Sequence, residues 1–184
     1  MNIRKITFIA LMAAVCCILG PLSIPIGQVP ISLQILAVFL CVYLLGWKDG
    51  TIAFIVYILL GLVGLPVFAG FTGGADKLFG PTGGYILGFI LTALIDGIFI
   101  DRSYNVLNKP LSVTYQIAGM ILGVAACYVL GTAFFMAFTH MSLAESLALC
   151  VIPFIPVDLL KVVIAFFLGN VVRAALMKAK LIER

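Results

Sequence analysis

Ile152-Pro153-Phe154-Ile155-Pro156-Val157-Asp158-Leu159-Leu160-Lys161 opens the last apolar stretch of the chain, which covers residues 150–172 and is closed by Arg173. Each charge at the centre of a membrane helix costs roughly 2.5–3.5 kcal/mol, so a pair kept inside such a run marks a binding site by default. The i, i+3 spacing puts Asp158 and Lys161 on one helix face. Pro153 and Pro156 mark the start of the helix, whose positive end favours the Asp158 carboxylate. A pair that only neutralises itself is the competing reading, since buried opposite charges need no ligand to offset one another.

Composition agrees with this medium. Of the 184 residues, 64% are hydrophobic and 10% charged, with mean hydropathy +1.29, against about 25% charged in an ordinary soluble domain. The expectation is an all-α integral membrane protein: one domain over residues 1–184, a bundle of about six helices of membrane-spanning length with no soluble domain.

Charges and Pro/Gly clusters divide the chain into apolar spans near residues 5–20, 31–47, 50–66, 82–100, 112–138 and 150–172. With the N-terminus in the cytoplasm, nine of the eleven Lys and Arg fall on the inner face, leaving Lys77 outside and Lys161 in the membrane. Six spans then return the C-terminus to the cytoplasm. The net charge of +4 reflects this topology and the anionic inner leaflet of the lipid bilayer, and gives no support for nucleic-acid binding. The first span, after Met1-Asn2-Ile3-Arg4-Lys5, lacks an Ala-x-Ala-like cleavage site and runs into Gly20-Pro21. It is expected to be a retained helix rather than a signal peptide.

Several chemistries lack their minimum parts. Cys16, Cys17, Cys41, Cys127 and Cys150 lie in or beside apolar spans without metal-ligand spacing, and the single His140 falls in an outer loop. HExxH, GxSxG and GxxxxGK[ST] are absent, so no metal, no cofactor and no catalytic residue is assigned, and any use of ATP belongs to another subunit. Ala10, Ala13, Ala14 and Cys17 form a small-residue stripe on the first span, suited to packing against the protein's own helices or to a partner subunit. Gly119 and Gly123 make a GxxxG suited to internal packing. Asp96 is expected to snorkel towards water beside Asp101 and Arg102.

Two outer segments differ from plain linkers. Residues 64–85 combine many glycines with Phe68, Phe71, Phe79 and Tyr85, which reads as a lid with apolar ligand contacts, a packed re-entrant loop being the alternative. The loop at 21–30 is uncharged and leads to Ser32 and Gln34, which enter the second span near its outer end and hydrogen-bond without the cost of a charge. Asp158 precedes Arg173 by 15 residues, about 22 Å along a helix, which puts it in the outer half of the membrane beneath the lid. The ligand suggested has both polar hydrogen-bonding groups and apolar surface.

Three ordered blocks resemble the biotin-specific S components of energy-coupling factor (ECF) transporters, the BioY family: residues 29–34, residues 64–70 with Gly80-Pro81-Thr82-Gly83-Gly84-Tyr85, and residues 156–161. The family usually has Gly where this chain has Val157, and commonly Thr where it has Ser32. The resemblance implies six helices with both termini cytoplasmic, in a prokaryotic plasma membrane. It implies biotin captured from outside, with Asp158 and Lys161 as polar anchors, Gln34 and Ser32 as hydrogen-bonders, Phe68 and Tyr85 as apolar walls, and Gly83 and Gly84 beside them. It further implies that the Ala10/Ala14 face meets a transmembrane coupling subunit and that two ATPase subunits drive release inward. A proton-coupled carrier of a vitamin-like solute would also use a membrane Asp–Lys pair, but such folds usually carry inverted repeats, which the sequence lacks. An intramembrane enzyme would need a nucleophile beside a base, which Asp158 and Lys161 do not supply.

Overall fold

The computed structural model describes residues 3–25 and 29–181. Among these the chain is helical, with α1 (Ile3–Leu19), α2 (Gln34–Leu62), α3 (Ala75–Leu78), α4 (Gly83–Ser103), α5 (Lys109–Thr139), α6 (Leu143–Cys150) and α7 (Ile155–Lys178). Two short strands, β1 (Ser23–Ile24) and β2 (Ile31–Ser32), pair antiparallel ahead of α2. Ser32 therefore sits in a strand rather than in the second span, and residues 26–28 of the first outer loop lie outside the described part. Helices α2, α4, α5 and α7 are long and apolar enough to cross a membrane. Their outer faces carry exposed side chains such as Val129, Leu160, Phe167 and Val171, which are at no disadvantage against lipid tails.

The two spans expected at 31–47 and 50–66 form one element that folds back on itself. Gly46, inside α2, has φ 78° and ψ 177°, a conformation open essentially to glycine alone. A Cβ on Gly50 would lie 2.7 Å from the Cys41 carbonyl oxygen, whereas residues nine apart in a straight helix stand about 13 Å apart. Residues 34–45 and 47–62 are thus two arms packed against each other.

The break leaves the Trp47 N–H and the Tyr43 carbonyl without their mutual helical bond, and other helices take over. Asp101 of α4 accepts from the Trp47 N–H at 3.2 Å, and Arg173 of α7 donates to the Tyr43 carbonyl at 2.8 Å. Arg173 also stacks on the Tyr104 ring at 3.9 Å and is buried, so the residue expected at the inner boundary is a fastening of the bundle. Lys5 and Asp49, 3.5 Å apart, bring the start of α1 to the same end.

The core centres on α2, where Phe39, Tyr43, Phe54 and Tyr57 are fully buried. Helices α4 and α5 pack closely along the GxxxG: a Cβ on Gly123 would meet Thr92, whose hydroxyl donates to the Gly123 carbonyl at 2.8 Å. Gly119 faces Phe99 and Asp96. Asp96 does not snorkel. It is 0% exposed, with neither carboxyl oxygen hydrogen-bonded among the described residues, because its face of α4 points at α5 rather than at the helix rim. The cysteines are free, and Cys16 and Cys41 face each other at 3.3 Å between α1 and α2.

The stretch before α7 is also more divided than hydropathy suggests. Helix α6 starts at Ser142, whose side chain accepts from the Glu145 N–H while Glu145 accepts from the Ser142 N–H at 2.9 Å. This reciprocal capping box holds the Glu145 carboxyl below its ordinary value. A turn at residues 151–154 follows, and α7 begins with Pro156 in its first turn.

Candidate functional site

Helix α7 is placed so that its first turns face inward at the end of the bundle carrying the long loops. Asp158 is 6% and Lys161 5% exposed. Lys161 Nζ donates to Asp158 Oδ1 at 2.7 Å, and the Tyr128 hydroxyl of α5 donates to Oδ2 at 2.7 Å. An ionised carboxylate has about four lone-pair sites, so the Asp158 carboxylate keeps acceptor capacity for two more donors, and Lys161 keeps donors of its own.

A second polar chain ties the loops to α2. The Ser32 hydroxyl donates to Gln34 Oε1 at 3.1 Å, the Gln34 amide donates to the Tyr57 hydroxyl at 2.7 Å, and that hydroxyl donates to the Val67 carbonyl at 2.9 Å. The lid is fastened at its base: the Gly70 N–H bonds the Pro21 carbonyl at 3.0 Å and the Gly74 N–H bonds the Gly61 carbonyl at 2.7 Å. Phe68 is 1% exposed and meets Tyr57 edge-on, with ring centroids 5.8 Å apart.

Between these groups lies a cavity that opens towards solvent at its mouth, a concave and mostly apolar site with a few convergent polar groups of the kind that ligands use. Ser32, Gln34, Phe68, Tyr85, Asp158 and Lys161, all expected from the sequence, line it together. Gly83 and Gly84 do not. They are close-approach positions, where a Cβ would collide with the Leu78 carbonyl and the Phe134 side chain, and they let α4 start directly beneath the lid. Two lid aromatics also depart from expectation: Phe71 and Phe79 are 67% and 69% exposed and face away from the cavity.

Tyr128, Thr72, Thr82, Phe89 and Phe154, none of them expected from the sequence, also line the cavity, as does Lys77, expected only to mark the outer face. The signal for Tyr128 was a phenol inside span five, since a buried Tyr hydroxyl usually finds a partner. Tyr85 bonds the Thr132 hydroxyl at 3.1 Å, and its ring lies against Gly131. No cluster of three or more His, Cys, Asp or Glu suited to a metal occurs among the described residues. The site combines a charged, hydrogen-bonding floor with aromatic walls, the lining typical of a small-molecule pocket.

The BioY family model matches residues 1–178. The chain belongs to the BioY family. It is 42% identical over 144 residues to the biotin transporter BioY of Thermotoga maritima, covering 78% of this chain and 80% of that protein. It is 37% identical over 168 residues to the biotin transporter BioY2 of Lactococcus lactis subsp. cremoris, covering 91% and 89%. The BioY fold agrees with a crystal structure of the S-component for biotin from an ECF-type ABC transporter, with TM-score 0.82 and 31% identity over 94% of this chain and 92% of that one.

Proposed function

We propose that this BioY-family protein is the biotin-binding subunit of an ECF importer, a transport component rather than an enzyme, which captures biotin from outside the cell. The observation that carries the reading is the buried Tyr128–Asp158–Lys161 array aimed into a lidded, largely apolar cavity. Biotin offers two ureido N–H groups and one ureido oxygen on an apolar bicyclic body. The Asp158 carboxylate accepts from the N–H groups, Lys161 donates to the ureido oxygen, and Gln34 and Ser32 complete the polar side. Phe68 and Tyr85 cover the apolar side, where each buried methylene contributes about 0.8 kcal/mol and a charge-assisted hydrogen bond about 1.5–3 kcal/mol.

The two arms of α2 count as two crossings, giving six with α1, α4, α5 and α7, and both termini lie on the cytoplasmic side of a prokaryotic plasma membrane. Supporting this are the concentration of Lys and Arg at one end of the spans in the sequence and the Lys5–Asp49 contact that joins α1 to the α2 turn. Ala10 and Ala14, both exposed on α1, form the contact with a transmembrane coupling subunit, and two ATPase subunits complete the importer.

The test is calorimetric titration of the detergent-purified protein with biotin, thiamine and riboflavin. Submicromolar binding of biotin alone is expected, weakened at least tenfold by Asp158→Asn. Folded wild-type protein that does not bind biotin would sink the assignment.

A further inference from the structure

Three charged side chains line the cavity: Asp158 and Lys161 on the floor and Lys77 in the lid. The first two neutralise each other at 2.7 Å. Among the described residues, Lys77 takes part in no salt bridge, so the cavity is left with one unit of positive charge. The short helix that carries it is anchored. Lys77 belongs to α3, whose neighbouring residue Leu78 is buried and whose Leu78 carbonyl is packed against Gly83 at the start of α4. The Lys77 side chain is exposed, whereas Lys161 is buried. The cavity is therefore neutral and hydrogen-bonding at depth and cationic towards solvent.

We propose that Lys77 is a specificity-determining residue that receives the carboxylate of the ligand's side chain, so that biotin enters ureido end first with its valerate anion at the lid. The proposal rests on the biotin reading of the site and adds an orientation and a residue to it. A monoanion with a neutral polar head matches the cavity in the order of its charges. A neutral analogue of the same shape satisfies the floor but leaves Lys77 without a counter-charge. Because Lys77 is solvated, its contribution is modest and screened by salt, and it acts on capture as much as on retention.

The experiment measures the affinity and association rate of biotin and of biotinamide, whose carboxylate is replaced by a carboxamide, for the full-length wild type and for Lys77→Met and Lys77→Arg. Wild type should prefer biotin three- to tenfold at low salt, with the preference shrinking as salt is raised. Lys77→Met should abolish the preference by weakening biotin alone, with biotinamide affinity unchanged, and Lys77→Arg should retain it. Equal weakening of both ligands by Lys77→Met would assign Lys77 to lid structure, and an undiminished preference would assign the carboxylate elsewhere; either overturns the proposal. Wild type that binds neither ligand would remove the biotin reading itself, a failure distinguishable from that of Lys77.

Discussion

At Asp158 the two carboxyl oxygens are held from different helices, Oδ1 by Lys161 one turn along α7 and Oδ2 by Tyr128 of α5, so the two neighbours have separable effects. Lys161→Met leaves a buried carboxylate without its cation, a change of about 3–5 kcal/mol, and should lower the thermal unfolding temperature as well as biotin affinity. Tyr128→Phe keeps the ring packing and removes one bond to a charged acceptor, about 1.5–3 kcal/mol. It should weaken biotin about tenfold with the fold intact. Calorimetry and thermal unfolding on both variants check this, and a Tyr128→Phe protein that binds as tightly as wild type would remove Tyr128 from the site. Asp158, Lys161, Gln34 and Ser32 were legible in the sequence because polar groups stand out against an apolar run. Tyr128 was not, since a tyrosine passes as a hydrophobic residue until its hydroxyl is seen to need a partner. Asp96 was misread for a related reason: position along a span does not say which helix face a residue occupies, and its face meets α5 at Gly119.

At the level of elements, continuous hydropathy concealed where helices stop. Helix α2 is broken by Gly46, whose backbone conformation admits only glycine, and the freed groups are taken by Asp101 and Arg173. Gly46→Ala should therefore cost about 1–3 kcal/mol, read as a lower unfolding temperature in detergent; an unchanged temperature would mean that the turn relaxes without strain. Helix α6 was not expected, because hydropathy ignores the Ser142 and Glu145 spacing that caps its start. That the loop at 64–85 borders the cavity was legible from its glycines and aromatics, but not which aromatics turn inward: Phe68 lines the cavity and packs on Tyr57 while Phe71 and Phe79 are exposed. Fastened at Gly70 and Gly74 and lining the cavity through Phe68, Thr72 and Lys77, the lid should order over a bound ligand. Amide hydrogen exchange in residues 67–84 should slow when biotin is added, and exchange indifferent to biotin would detach the lid from the binding event.

For the whole molecule, the proposed coupling face makes binding and transport separable, because the ligand cavity and the outer face of α1 use different residues. The small-residue stripe of α1 is divided by the fold. Ala13 is 2% exposed and turns into the bundle, whereas Ala10 and Ala14 are exposed one turn apart beside Leu11. Small residues four apart let a second helix backbone approach closely, and a larger side chain at either position holds it off. The stripe was legible as a sequence pattern, but its division was not, because both kinds of packing select the same residue types. Ala10→Leu combined with Ala14→Leu alters only surface that the protein's own helices do not use. Biotin affinity and thermal stability of the isolated chain should stay at wild-type values. Co-purification with the coupling and ATPase subunits should be lost, and biotin uptake by cells expressing the whole importer should fall at least tenfold. Loss of binding by the isolated variant would show that this face supports the bundle, and full uptake with intact binding would place the coupling surface elsewhere on the protein.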